Sequence, residues 1–282
     1  MSEIVYFSDA LKRYPEVFNE AVEFLKKNGI AVRLIEGTRN IWTRDFMPIQ
    51  VGYRLIKFRY IPDKRYPQLK VPHSCYEQLY PIYSNIILDG GNVVRRGDKT
   101  ILTKKVLKKN PGLKLTKLEK ILQSEVTLIP IEPYASIGHS DGICHFLPNG
   151  SVLINDYESM PQYQTYHKRL VRALKGFSIE TLVCAYSKCP RMSEKQFRKL
   201  YPLADVFCSS FGCYVNYLEI ANLILLPGFG IVEDIEALTK IKQLYPNHKI
   251  RQLDFSQISM LGGCINCISW DVRINGNFRP ER

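Results

Sequence analysis

The sequence has no Ser/Gly-rich tract, no linker and no low-complexity stretch, so nothing divides it and one domain over residues 1–282 is expected. It also lacks a long hydrophobic run. Its most apolar stretch, Tyr217 to Phe229, is short and interrupted by Glu219 and Asn222. That excludes a membrane span and suggests a buried hairpin. Met1 to Glu16 contains no uninterrupted apolar segment, so no secretory leader is expected and the cytoplasm is the expected location. Acidic residues are in short supply, with Asp+Glu 27 against Lys+Arg 39 and a formal net charge of +12. Even so, 45% hydrophobic and 23% charged residues are an ordinary globular balance, which excludes a disordered or collagen-like chain.

Eight cysteines are too few for a disulfide scaffold of this length and are expected to be reduced. Three close pairs stand out: Cys184/Cys189, Cys208/Cys213 and Cys264/Cys267. Only the last has C-x2-C spacing, and no second such pair accompanies it, so a structural zinc is not expected. Most of these cysteines read as small core residues. A competing reading makes His139, Asp141 and His145 metal ligands, but no second histidine or carboxylate pair at ligand spacing supports it. No metal and no cofactor is expected.

The positive charge is concentrated. Ten Lys/Arg fall between Arg95 and Lys120 against only Asp98 and Glu119. Such a run suits an acidic partner, but no aromatic residue interleaves it to stack on bases. It reads as a solvated face, and nucleic acid is not the expected partner.

Helix-then-strand units recur along the chain. Pro15 to Asn28 carries an apolar stripe at helical spacing, Gly29 caps it, and Ile30 to Ile35 follows as a strand. Thr116 and Glu119 have capping-box spacing and predict a helix to about Ser124, then a strand over Val126 to Ile131. Tyr163 to Lys175 followed by Ser178 to Val183, and Asp234 to Tyr245 followed by Lys249 to Leu253, repeat the plan. Hairpin patterns lie between these units: Val51 to Tyr60, Asn92 to Thr103, Ile143 to Asn155, Tyr214 to Leu226 and Ile265 to Ile274. The turn Pro148-Asn149-Gly150 is the strongest. Five such units suggest a ring of similar modules, with an irregular α/β sandwich as the alternative.

Polar, glycine-bracketed segments sit where strands end: Asn40-Ile41-Trp42-Thr43-Arg44-Asp45, Gly138-His139-Ser140-Asp141-Gly142, and Gly262-Gly263-Cys264-Ile265-Asn266-Cys267. A fourth, Leu88-Asp89-Gly90-Gly91-Asn92, precedes the second hairpin. A pseudo-symmetric ring would bring these loops to one end of its axis. There a Cys, a His and two Asp can serve as nucleophile, acid/base and orienting carboxylates.

The ordered motifs W-x-R-D, D-G-G-N, G-H-x-D and G-G-x-x-x-C resemble those of the guanidino-group-modifying superfamily, from about Asn40 to Ile268. The chain is most similar to its agmatine deiminase and bacterial peptidyl-arginine deiminase family. The resemblance implies a five-bladed α/β propeller (the pentein fold). It implies Cys267 as nucleophile, His139 as general acid/base, and Asp45 and Asp141 as the carboxylates that grip a guanidinium. Asp89 falls where relatives often have Glu and is assigned to substrate binding, with Trp42 as a wall of the substrate channel. Asn266 replaces a histidine common in relatives. The implied activity is deimination, with agmatine first and peptide- or protein-bound arginine second. An amidinotransferase is a further option, and a catalytically silent propeller that binds an acidic partner or RNA is the alternative from a different class.

Overall fold

The computed structural model describes residues 2–62, 69–133, 137–200 and 209–274. Its strands form five three-stranded sheets. In chain order the strands are β1 (Ser2–Ser8), β2 (Ala31–Ile35), β3 (Ile49–Val51), β4 (Arg54–Arg59), β5 (Ile82–Ile87), β6 (Val94–Arg96), β7 (Lys99–Thr103), β8 (Glu125–Ile129), β9 (Cys144–Phe146), β10 (Val152–Asn155), β11 (Ile179–Leu182), β12 (Leu218–Ile220), β13 (Leu223–Gly228), β14 (Lys249–Asp254) and β15 (Ser269–Ile274).

Four blades share one plan. A hairpin supplies two antiparallel strands, and a crossover returns a third strand parallel to the middle one, giving β3-β4-β5, β6-β7-β8, β9-β10-β11 and β12-β13-β14. The middle strands are the most apolar, as their burial requires: Val152–Asn155 and Leu223–Gly228 are buried throughout. Crossover helices cover the sheets. Gln164–Ala173 buries Tyr166 and Leu170 while its polar side faces out, and Glu233–Leu244 buries Ala237 and Ile241 in the same way. An apolar stripe at helical spacing thus closes these blades, whereas the β4–β5 crossover carries only the short turns His73–Cys75 and Glu77–Leu79 among the described residues.

Most sequence expectations hold within a residue or two. The helix Pro15–Lys27 ends at Gly29, whose φ of 82° is the left-handed conformation that a glycine cap adopts. The hairpins turn at Gly97-Asp98 and at Pro148-Asn149-Gly150. Two expectations are corrected. The helix near Thr116 begins at Leu115 with Lys114 as its cap residue and no side-chain cap bond. Glu119 Oε1 instead accepts from the Val126 N–H, so this acid ties the helix to β8.

The second correction concerns the fifth hairpin. Ile265–Ile268 is one helical turn, and β15 pairs antiparallel with β1 at the other end of the chain. The fifth blade, β15-β1-β2, is therefore assembled from both ends, and it closes the ring. Local alternation could not reveal a partner more than two hundred residues away.

Candidate active site

Each blade's first strand is preceded by a tight turn, and these turns gather at one end of the axis. The one-turn helix Thr43–Phe46 carries Asp45 ahead of β3, and Asp89 opens the turn Gly90–Asn92 ahead of β6. His139 and Asp141 flank the start of Ser140–Gly142 ahead of β9, and Cys267 lies in Ile265–Ile268 ahead of β15. The β12 blade contributes Asn216, just before Leu218. Pseudo-symmetry therefore brings one polar group from every blade to the same place.

Short contacts lock this cluster. The Gly91 N–H donates to Asp45 Oδ1 at 3.0 Å. Asn92 Oδ1 accepts from Thr103 N, Thr103 Oγ1 and Ser140 N, which ties the Asp89 turn to the His139 turn. Glycine at 91 is a steric necessity. A Cβ there would lie 2.6 Å from Asp45 Oδ1, 2.9 Å from His139 Nδ1 and 3.1 Å from Asp141 Oδ2. At Gly263 a Cβ would lie 2.6 Å from Trp42 Cζ3 and 3.1 Å from Cys267 Sγ. The Gly-Gly pairs of the motifs thus make room for the reactive groups.

His139 is held at both nitrogens. Nδ1 lies 3.3 Å from Asp45 Oδ1, and Nε2 lies 2.9 Å from Asp89 Oδ2 and 2.8 Å from Lys105 Nζ. Burial disfavours its charge, but Asp45, together with the Asp45 and Asp89 hydrogen bonds, outweighs burial and Lys105 and raises its pKa to about 9. Near neutral pH it is an imidazolium. Burial also raises the Asp141 carboxyl, and His139, Asn266 and Arg44 pull it back. Cys267 Sγ lies 3.5 Å from Asp141 Oδ2 and 3.4 Å from Asn216 Oδ1. Burial first, then Asp141 and Asp45, push this thiol well above its usual range. Near neutral pH it is a protonated thiol.

A cavity of about 190 Å³ opens on these groups; Trp42, Asp45, His139, Asp141, Asn216 and Cys267 all line it. Trp42 is also packed into the apolar core, so it is both a core residue and a wall. Asp89 does not line the cavity. It sits behind His139, where Lys105 and Lys109 donate to its Oδ2 at 3.1 and 2.7 Å. A shorter acid at this position meets the imidazole rather than the cavity. Asn266, in place of the usual histidine, donates to Asp141 Oδ2 at 2.9 Å and so orients that carboxylate.

The competing metal reading fails on geometry. His145 turns away to Glu219 at 3.1 Å and packs on Tyr217, and the described residues hold no group of three metal-ligating side chains. The described cysteines are free, and Cys208 lies outside the described residues. The basic run is only partly a solvated face. Lys104, Lys108 and Lys117 are exposed, whereas Lys105 and Lys109 turn inward to Asp89 and Arg96 pairs with Glu219.

Sequence reasoning missed three site residues. Asn216 was legible only through the repeat, as the residue its blade places ahead of its first strand. Lys105 was hidden in a lysine run. Glu132, a cavity residue, follows a strand in the unmarked string Ile131-Glu132-Pro133.

A five-bladed ring of this kind, with its polar turns gathered at one end of the axis, defines the pentein class of folds. Within it, residues 8–272 match the family model of the Porphyromonas-type peptidyl-arginine deiminases, and the chain belongs to that family. It is 24% identical over 206 residues to the agmatine deiminase of Ectopseudomonas mendocina, covering 65% of this chain and 56% of that protein. It is 26% identical over 209 residues to a provisionally named agmatine deiminase of Mycoplasma capricolum, covering 66% and 57%. The chain thus matches less than two thirds of these curated relatives' length. The solved C. jejuni agmatine deiminase has the same fold, with a TM-score of 0.72 at 18% identity over 100% of this chain and 94% of that one. A form of it with cysteine replaced by serine has been solved with substrate bound. Among the described residues no helix is long and apolar enough to cross a membrane.

Proposed function

We propose that this chain is a guanidine deiminase whose leading substrate is agmatine, converted with water to N-carbamoylputrescine and ammonia. One observation carries the reading: the Cys267 thiol, the His139 imidazole and the Asp45 and Asp141 carboxylates face a single small cavity. A guanidinium is planar, cationic and a poor electrophile. Two carboxylates that accept its paired N–H donors fix its plane and present its central carbon to sulfur.

The bound cation also neutralises the acids that keep the Cys267 thiol protonated, so the thiol loses its proton to solvent as substrate arrives. The thiolate attacks the guanidinium carbon to form a C–S bond. The His139 imidazolium then protonates the departing nitrogen as the C–N bond breaks, releasing ammonia and leaving an S-alkylthiouronium. Neutral His139 takes a proton from water as the water oxygen adds to the same carbon. Collapse of that adduct breaks the C–S bond and returns the thiolate and a ureido product. A reduced thiol is needed throughout, so a reducing, cytoplasmic setting is part of the proposal.

The family's description favours peptide-bound arginine as a second reading. The test is ammonia and ureido release from purified protein given agmatine, free arginine or a doubly blocked arginine. Equal amounts of both products from agmatine, with Cys267→Ala slower by on the order of 10⁴-fold or more, is the expected result. Turnover of blocked arginine alone would move the assignment to peptides. No turnover of any guanidine, with Cys267 left unalkylated by 2-chloroacetamidine, would overturn the enzyme reading.

A further inference from the structure

A second cavity, of about 650 Å³, lies behind the site. The first strand of every blade lines it, with Gln50 from β3, Arg95 from β6, His145 from β9, Glu219 from β12 and Asp271 from β15. Gly90, Asp141 and Asn266, in the turns of the site, line its near end. Gly52 and Gly97, in the hairpin turns at the far ends of β3 and β6, line the other. The cavity is therefore the bore of the ring, running along the axis away from the site. Asp141 lines both cavities and is the partition between them.

The arginines of this bore are matched to acids with one exception. Arg44 Nη2 donates to Asp271 Oδ1 at 2.8 Å. Arg96 Nη2 donates to both oxygens of Glu219, at 2.6 and 2.7 Å, and Arg273 Nε pairs with Glu3 at 3.0 Å. Arg95 meets no acid among the described residues. Its Nη1 donates to the Gln50 carbonyl at 3.0 Å, which leaves most of its five N–H donors unused. Burial pushes its pKa down, and no neighbouring carboxylate offsets the push.

A half-buried guanidinium without a countercharge is costly, and an oxyanion with two acceptors matches its planar fork. The acids nearby do not repel such a ligand, since Arg44 and Arg96 already neutralise Asp271 and Glu219. The volume falls in the range of about 300–1,000 Å³ usual for small-molecule sites.

We propose that the bore of the propeller is an oxyanion-binding site, in which Arg95 receives the carboxylate or phosphate group of a small molecule. The site is separate from the guanidine cavity and does not depend on the deiminase reading. The two cavities take ligands of opposite charge on either side of Asp141.

Isothermal titration calorimetry of the native protein with inorganic phosphate and with succinate, at an ionic strength held constant with chloride, tests the proposal. At least one anion should bind saturably, one per chain. Phosphate alone would assign a phosphorylated ligand and succinate alone a carboxylate. Arg95→Gln should weaken that binding by about tenfold or more. Lys108→Gln removes an exposed lysine of the same basic run and should change it by less than about twofold. Absence of saturable binding to the native protein overturns the proposal, as does undiminished binding in Arg95→Gln or an equal loss in the two variants. If Arg95→Gln does not fold, Gln50→Glu sets a competing carboxylate in the bore beside Arg95, and undiminished binding there overturns it as well. None of these readouts involves a guanidine, so they stand whether or not the chain is a deiminase.

Discussion

Asp89 lies against His139, and Glu132 lies on the wall of the cavity that His139 faces. Burial acts on both carboxylates, and each has one oxygen without a partner. Their charges nevertheless move in opposite directions. Burial pushes Asp89 up, but hydrogen bonding to His139 and the charges of His139, Lys105 and Lys109 hold it far below the usual carboxylate range. Burial outweighs the Tyr157 and Tyr186 phenols around Glu132 and raises it to about 7. The difference lies in where the countercharge comes from. Asp89 is neutralised by the chain itself and serves to position the imidazole. Glu132 meets no cation among the described residues, so burial decides its charge.

Breaking the internally neutralised side has the largest expected effect. Asp89→Asn should lower kcat by roughly 10²- to 10³-fold with little change in KM, because it disturbs the acid/base group without touching substrate. It also removes a group that favours the imidazolium. The alkaline limb of the pH–rate profile should therefore fall from near 9 toward the ordinary histidine value of 6.5. An unchanged limb, with KM rising instead, would make Asp89 a substrate ligand.

Lys105→Met sharpens the same side by a smaller amount. Lys105 is a positioning residue that opposes the charge on His139, so its removal should move the alkaline limb upward, with kcat falling by less than about tenfold. A downward move would mean that Lys105 acts chiefly by holding Asp89 in place.

The smallest effect is on stability. Glu132 has a folded pKa raised from 4.5 to about 7, so the stability of its neutral form is complete below 4.5 and lost as pH rises through 7. His139 is raised from 6.5 to about 9, so its contribution is complete below 6.5 and lost as pH rises through 9. Thermal melts from pH 4 to 10 should show two successive declines of roughly a few degrees each. Glu132→Gln, always neutral, should flatten only the first. If the first decline survives the substitution, another buried acid is responsible.

The sequence carried the frame of this molecule better than its seams. Turn residues such as Gly97-Asp98 and Pro148-Asn149-Gly150, and amphipathic stretches such as Pro15–Lys27, are local signals, and local signals can be read in one dimension. The closure of the fifth blade was not legible, because β15 finds its partner at the opposite end of the chain. The residues that line the cluster beside Gly91 and Gly263 stood out because those glycines, which have no room for a side chain, mark their turns. Glu132 and Lys105 did not. A buried acid and a buried lysine look like exposed ones until packing decides which charge water can reach.

That seam has a mechanical side. Strand β15 starts two positions after Cys267, so the strand that latches the propeller shut runs straight on from the turn that aims the sulfur. Peeling β1 away would unfasten the ring and let the Cys267 thiol swing out of register in the same motion. A partly unzipped molecule would scatter the Cys267 cluster before it lost most of its shape.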